Sequence, residues 1–66
     1  MKVTINGEEF NFDKTISVGE LIEELRLDTA QIAVEQNLAI VPLSTYNDTQ
    51  IVEGDKIEIV QFMGGG

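Results

Sequence analysis

The chain has 66 residues, of which twelve are acidic and four basic, giving a net charge of −8, and it contains no cysteine or histidine. This length allows one small domain, and the lack of cysteine excludes disulfides and thiolate metal sites. The charge disfavours nucleic-acid binding and favours a basic protein surface, although composition alone fits the simpler interpretation that it keeps a small domain soluble.

The N-terminus lacks the charged, apolar and small-residue regions of a signal peptide. No apolar run approaches the ~20 residues that a membrane helix needs. We therefore expect a cytoplasmic protein that binds neither membranes nor nucleic acid.

The first dozen residues predict a β-hairpin. The Asn6-Gly7 pair separates two alternating stretches, residues 2–5 and 8–12, and both turn residues tolerate positive φ. Since side chains alternate along a strand, four apolar residues can line the sheet face that meets a helix. These residues are Val3, Ile5, Phe10 and Phe12.

A single main helix is predicted after the hairpin. Ser17 and Glu20 have the spacing of a capping box, with Ser17 as N-cap and Glu20 reaching back to it. Apolar residues then recur at helical spacing, which predicts a buried stripe. The stripe consists of Val18, Leu21, Ile22 and Leu25.

Short strands fill the second half of the chain. Residues 32–35 and 38–41 predict a third and a fourth strand, with Asn37 in a left-handed turn between them. We expect Tyr46 to anchor the loop that follows. Further strands are predicted at 50–52 and, after a turn at 53–55, from residue 56 onward.

The order of these elements predicts an α+β fold of the β-grasp (ubiquitin-like) type. The hairpin strands pair antiparallel, and the last strand can pair parallel with the first. The result is a mixed four- to five-stranded sheet packed on one main helix. We expect residues 1–63 to form this domain and residues 64–66 to form a flexible glycine tail.

The last strand runs directly into the three glycines. If Ile57 and Ile59 face the helix, alternation turns Val60 and Phe62 away from it, which would create a small partner-docking patch beside the tail. The alternative is a bulge or twist that returns Phe62 to the core.

Catalysis by this chain alone is not expected. Without histidine or cysteine there is no imidazole base and no thiolate nucleophile. Ser17 is explained as a cap, and neighbouring acids such as Glu23 and Glu24 point in different directions on a helix. No glycine-rich phosphate loop or metal site is evident. The remaining candidate is the C-terminal carboxylate of Gly66, which becomes an electrophile once a partner adenylates it with ATP and excludes water.

The chain resembles the ThiS family of ubiquitin-like sulfur carriers in thiamin biosynthesis. The resemblance spans nearly the whole chain and is sharpest over residues 34–42, over residues 53–62 and at Gly65-Gly66. It implies that an E1-like adenylyltransferase adenylates Gly66 with ATP, and that a sulfur-donating protein supplies the sulfur of a thiocarboxylate. Thiazole synthase would use that sulfur, and the chain itself would bind no cofactor. Gly65 would give the tail a flexible approach and Gly64 an additional spacer.

Three alternatives remain open from the sequence. The first is the small-subunit type of sulfur carrier in molybdopterin synthesis, which has the same fold and tail. The second is a ubiquitin-like modifier whose Gly66 is conjugated to lysines. The third is a non-covalent β-grasp binding module, for which the glycines are incidental.

Overall fold

The computed structural model describes residues 1–62. The boundary expected after residue 63 and the predicted tail, Gly64 to Gly66, lie outside the described residues. The elements in chain order are β1 (Lys2–Ile5), β2 (Glu8–Asn11), β3 (Ile16–Ser17), α1 (Val18–Glu24), a 3₁₀ turn (Thr29–Gln31), β4 (Ile32–Gln36), β5 (Ala39–Val41), a second 3₁₀ turn (Leu43–Thr45), β6 (Gln50–Ile51) and β7 (Lys56–Gln61).

Five strands form one mixed sheet in the order β2-β1-β7-β4-β5. β7 pairs parallel with β1 and antiparallel with β4, while the two hairpin pairs, β1–β2 and β4–β5, are antiparallel. The short strands β3 and β6 form a separate antiparallel pair. The predicted β-grasp architecture is therefore confirmed, with five strands in its main sheet.

The first hairpin turns as predicted, with φ values of 49° at Asn6 and 81° at Gly7. Val3 and Ile5 are buried on the side of the sheet that faces the helix. Phe10, however, is 37% exposed, and Phe12 is only partly buried. The expectation that these residues line the sheet face that meets the helix is confirmed for Val3 and Ile5. Phe10 is paired with Val3 and lies on the same face, but it is more exposed because β2 is the edge strand and lies at the rim of the core.

Helix α1 begins at the predicted capping box. The Glu20 N–H donates to Ser17 Oγ at 3.0 Å, and the Ser17 N–H donates to Glu20 Oε1 at 2.8 Å. The helix ends in a Schellman motif. Its left-handed residue is Arg26, at φ 58°, and the Leu27 N–H donates back to the Ile22 carbonyl at 3.1 Å.

The β4–β5 turn differs from the prediction by one residue. Asn37 is left-handed as expected, at φ 52°, but Leu38 is left-handed too, at φ 72°. Leu38 therefore belongs to the turn, and β5 begins at Ala39. These two values are those of a type I′ hairpin turn, which needs positive φ at both central positions, and this requirement overrides the preference of leucine for a strand.

The core lies between α1 and the sheet. Tyr46 is 5% exposed, so its predicted anchoring role in the loop is confirmed, and burial raises the pKa of its hydroxyl. No helix within residues 1–62 is long and apolar enough to cross a membrane. The fully enclosed side chains are Val3, Val18, Leu21, Ile22, Val34, Ile51 and Ile57.

Candidate functional site

The approach to the predicted tail is the central strand of the sheet. β7 lies between β1 and β4, and its register with β4 continues to the pair Ile32–Gln61. The Phe62 N–H then donates to the Gln31 carbonyl at 2.8 Å. The sheet therefore holds the chain up to four residues before Gly66.

Val60 and Phe62 are solvent-exposed, at 56% and 53%. They alternate with Ile57, which is fully buried, and with Ile59, which packs against the core. Val60 is paired with Ala33 on β4, on the sheet side away from the helix. The alternative in which a bulge returns Phe62 to the core is therefore wrong. The docking role of the two residues stays a prediction.

The sheet side away from α1, which we call the outer face, carries more apolar surface than the sequence analysis identified. Ile40 on β5 is 68% exposed, and Leu38 at the neighbouring turn is 86% exposed. The sequence offered a signal for Ile40, because alternation with the core residue Val41 places it outside. No local signal indicated Leu38, which the prediction assigned to a strand.

Two carboxylates occupy the middle of the outer face. Glu35 on β4 lies directly opposite Glu58 on β7, and on its other side Glu35 is paired with Ile40. Lys56 and Leu38 line the same shallow depression as these two acids. Like charges directly opposite one another weaken a sheet. The outer face thus combines exposed apolar side chains with two opposed acids and the neighbouring Lys56.

A buried carboxylate supports the β4–β5 turn from beneath. Asp55, which is 6% exposed, accepts hydrogen bonds from the Val52 N–H at 2.9 Å, Gln36 Nε2 at 2.8 Å and Asn37 Nδ2 at 3.0 Å. Burial raises the pKa of Asp55, but these three hydrogen bonds outweigh it and hold the pKa below its usual value. Asn37 in turn accepts from the Lys56 N–H at 2.9 Å. The network fixes the turn that presents Leu38.

The side chains of residues 1–62 do not form a metal site. Within residues 1–62, no group of three or more histidine, cysteine, aspartate or glutamate side chains is placed to hold a metal ion. The predicted site residues Gly64, Gly65 and Gly66 lie outside the described residues. The described part of the chain thus supplies an exposed apolar surface and a hydrogen-bonded strand that leads to Phe62.

The family model for the ThiS family matches residues 3–66. The chain belongs to the ThiS family. Its fold is similar to that of the crystal structure of thiamine biosynthesis protein ThiS from Geobacter metallireducens, with a TM-score of 0.86, 30% sequence identity and full coverage of both chains.

Two curated relatives extend this comparison. The sulfur carrier protein ThiS of Bacillus subtilis is 32% identical over 63 residues, which cover 94% of this chain and 96% of that protein. A thiazole synthase of Paramagnetospirillum magneticum is 52% identical over 66 residues, which are all of this chain. The chain spans only 20% of the length of that thiazole synthase.

Proposed function

We propose that this chain is a sulfur carrier of thiamin biosynthesis and that the carboxylate of Gly66 is its reacting group. The proposal is carried by one observation: in a ThiS-family chain, the sheet holds the backbone up to Phe62, and in the sequence only Met63 separates Phe62 from Gly64, Gly65 and Gly66. The Bacillus subtilis relative, which is similar over nearly its whole length, is a sulfur carrier protein.

The chemistry takes place on the Gly66 carboxyl carbon. A carboxylate oxygen attacks the α-phosphate of ATP, pyrophosphate leaves, and an acyl-adenylate forms. A sulfide equivalent from the sulfur-donating protein then attacks the carbonyl, AMP leaves with its electron pair, and a thiocarboxylate remains. An E1-like adenylyltransferase binds the ATP and excludes water from the activated carbonyl. The chain is a co-substrate in these steps and not an enzyme.

Glycines suit a tail that must enter a narrow active site. A side chain would widen the channel that admits the tail, and glycine tolerates every backbone conformation that the entry requires. In this proposal Gly65 gives the flexible approach and Gly64 adds length. The outer face, with Val60 and Phe62 nearest the tail, provides the apolar contact that holds the partner.

The Paramagnetospirillum magneticum relative favours the thiamin branch over the molybdopterin branch. One fifth of that thiazole synthase is similar to this entire chain, so a segment similar to this chain is part of a thiazole synthase there. We infer that a thiazole synthase is the acceptor of the sulfur. The cytoplasmic localisation expected from the sequence stays a prediction.

The proposal is tested by a reconstituted sulfur-transfer assay. The chain is incubated with ATP, the adenylating enzyme, the sulfur donor and thiazole synthase from the same organism, and thiazole formation is measured. We expect formation with the full chain and none with a chain lacking Gly65 and Gly66. Thiazole formation by the truncated chain would contradict a carrier role and favour a non-covalent binding module.

Two matched reactions separate the remaining alternatives. Replacing thiazole synthase by the molybdopterin-forming acceptor tests the second carrier pathway, for which we expect no product. A mass analysis of cell extract for lysine conjugates of the chain tests the modifier alternative. A ladder of such conjugates would favour the modifier.

A further inference from the structure

We propose that the β7 edge at Gln61 is a strand-docking edge, where an extended segment of the adenylating partner pairs with the backbone of this chain. The partner strand would place one apolar side chain in a notch beside that edge. This inference rests on the proposed function, because its occupant is the enzyme that takes the tail.

The first step concerns the direction of the backbone groups along β7. Toward β4, the Lys56 carbonyl accepts from the Asn37 N–H at 2.8 Å, and the Phe62 N–H donates to the Gln31 carbonyl at 2.8 Å. In an antiparallel pair, backbone groups alternate between the two sides of a strand. The even-numbered residues of β7 therefore direct their N–H and C=O groups toward β4, and the odd-numbered residues direct theirs toward β1.

The second step concerns what meets the odd-numbered residues. The Ile57 carbonyl accepts from the Asn6 N–H at 2.9 Å. At Ile59 the backbone of β1 has ended, and the Asn6 side chain replaces it. Ile59 N–H donates to Asn6 Oδ1 at 2.7 Å, and Asn6 Nδ2 donates to the Ile59 carbonyl at 3.1 Å. One side-chain amide thus imitates the next residue of a strand.

The third step concerns Gln61, the next odd-numbered residue. The pairing of β1 with β7 ends at Ile5–Ile57, and Asn6 extends it only to Ile59. Gln61 lies beyond this extension, so among residues 1–62 no strand covers its β1-side edge. Its other side is covered, because the register with β4 continues there. An uncovered N–H and C=O on an exposed strand is a template for an added strand.

A notch of about 260 Å³ lies beside this edge, on the helix side of the sheet. Most of the residues that line it are apolar, and the polar ones are Asn6, Glu8 and Gln61. Side chains of paired residues in neighbouring strands point to the same face. A residue paired beside Gln61 can therefore direct its side chain over the notch. The apolar lining consists of Ile5, Phe10, Leu25, Leu27 and Ile59.

The position of the edge and the net charge favour the adenylating enzyme over a second copy of this chain. Two copies each carrying a net charge of −8 repel one another. Gln61 is five residues before Gly66, and an extended chain spans at most ~3.6 Å per residue. A strand that pairs at Gln61 would set the direction of the tail and hold Gly66 within about 18 Å of the paired position. A fixed direction of the tail and a limited distance to Gly66 would both help an enzyme that must align the Gly66 carboxylate with ATP.

Amide hydrogen exchange at Gln61 tests this proposal directly. The ¹⁵N-labelled chain exchanges in D₂O alone or with a saturating amount of the unlabelled adenylating enzyme, and the complex is then dissociated and the spectrum recorded. In the free chain we expect fast exchange at Gln61 and protection at Val60 and Phe62, whose N–H groups face β4. In the complex we expect exchange at Gln61 to slow about tenfold or more. Unchanged exchange at Gln61 in the complex would overturn the proposal.

A pair of substitutions tests the same edge through affinity. Gln61→Pro removes the N–H on the open side and leaves the hydrogen bonds of β7 to β4 in place. Gln61→Ala removes the side chain but keeps that N–H. We expect Gln61→Pro to weaken enzyme binding about tenfold more than Gln61→Ala does. Equal losses would contradict strand pairing. If Gln61→Pro fails to fold, a chemically synthesised chain with an ester in place of the Gln61 amide makes the same test.

The outcomes separate this inference from the proposed function. The mass of the chain is measured after incubation with the enzyme, ATP and the sulfur donor. A mass gain that matches replacement of one oxygen by sulfur, without slower amide exchange at Gln61, would refute strand docking and leave the carrier function intact. Protection of Gln61 without the mass change would support strand docking and contradict the carrier function. Protection that grows with the concentration of the chain alone would identify a second copy as the occupant and overturn the proposal.

Discussion

The two ends of β7 are built for different purposes. At its beginning, the buried Asp55 carboxylate is fully engaged by three donors, and Asn37 ties the neighbouring turn to Lys56. At its end, Val60 and Phe62 are exposed and one strand edge is uncovered at Gln61. Polar groups are satisfied internally at the beginning of the strand, and apolar and backbone groups are exposed at its end, where we propose that a partner binds. In this proposal, stability and recognition depend on opposite ends of one strand.

Substituting Asp55 removes the hydrogen-bond network at the beginning of β7, and we expect it to have the largest effect on stability. Asp55→Ala leaves the Val52 N–H, Gln36 Nε2 and Asn37 Nδ2 without their acceptor, and we expect a loss of about 3 kcal/mol in the free energy of unfolding. A chain of this length has a total stability of about 3–10 kcal/mol. Urea denaturation measures the loss, with the exposed Asp13→Ala as the control. A loss no larger than that of Asp13→Ala would show that the network contributes little.

Substituting Phe62 tests the other end of β7. Phe62→Ser removes an exposed aromatic side chain from the outer face, and we expect binding of the adenylating enzyme to weaken by about 2 kcal/mol, or roughly thirtyfold. The free energy of unfolding should change little, because the side chain is already 53% exposed. Calorimetric titration and urea denaturation measure the two effects. The comparison fails if Phe62→Ser destabilises the fold and leaves binding unchanged.

Acidification should weaken the beginning of β7 selectively. The pKa of Asp55 in the folded protein is lowered from its ordinary value of 3.8. The contribution of Asp55 is therefore fully present above the unfolded-state pKa and is lost as the pH falls from there through the lower folded-state pKa. The effect should be smaller than that of Asp55→Ala, since a protonated carboxyl still fills the site. Denaturation curves between pH 7 and pH 2 measure it, and Asp55→Asn should flatten the dependence. An equal slope in this variant would assign the dependence to other carboxyls.

The opposed acids on the outer face give the smallest effect. Glu58→Lys converts the like-charge pair with Glu35 into an opposite-charge pair, and we expect a gain of about 0.5 kcal/mol in stability. Glu9→Lys makes the same change in charge opposite Thr4, where no acid is paired with it, and serves as the control. Thermal denaturation at low salt compares the stabilities of the two variants. If both variants gain the same stability, the cause is the reduced net charge and not the Glu35–Glu58 pair.

The sequence was sufficient where the signal is local. Asn6-Gly7 predicted the first turn, and Ser17 with Glu20 predicted the start of the helix, because each signal involves residues within a few positions of one another. The parallel pairing of β1 with β7 followed from the hairpin and the single helix. The β-grasp fold was therefore predictable before any coordinates.

The sequence was insufficient where the partners are distant along the chain. Asn6 bonds to Ile59 across 53 positions, and Asp55 bonds to Asn37 across 18. Each of these polar residues also fits a simple turn assignment, so no local pattern distinguishes the long-range role. The exposure of Leu38 depends on the same network and was missed for the same reason.

The most direct measurement is the intact mass of the chain after incubation with ATP, the adenylating enzyme and the sulfur donor, with a chain lacking Gly66 as the control. The Bacillus subtilis sulfur carrier protein, incubated in parallel, verifies that the enzyme and the sulfur donor are active. The account predicts that the full chain gains the mass difference between sulfur and oxygen and that the shortened chain gains nothing. An unchanged mass of the full chain with an active enzyme would contradict a sulfur carrier whose reacting group is the Gly66 carboxylate.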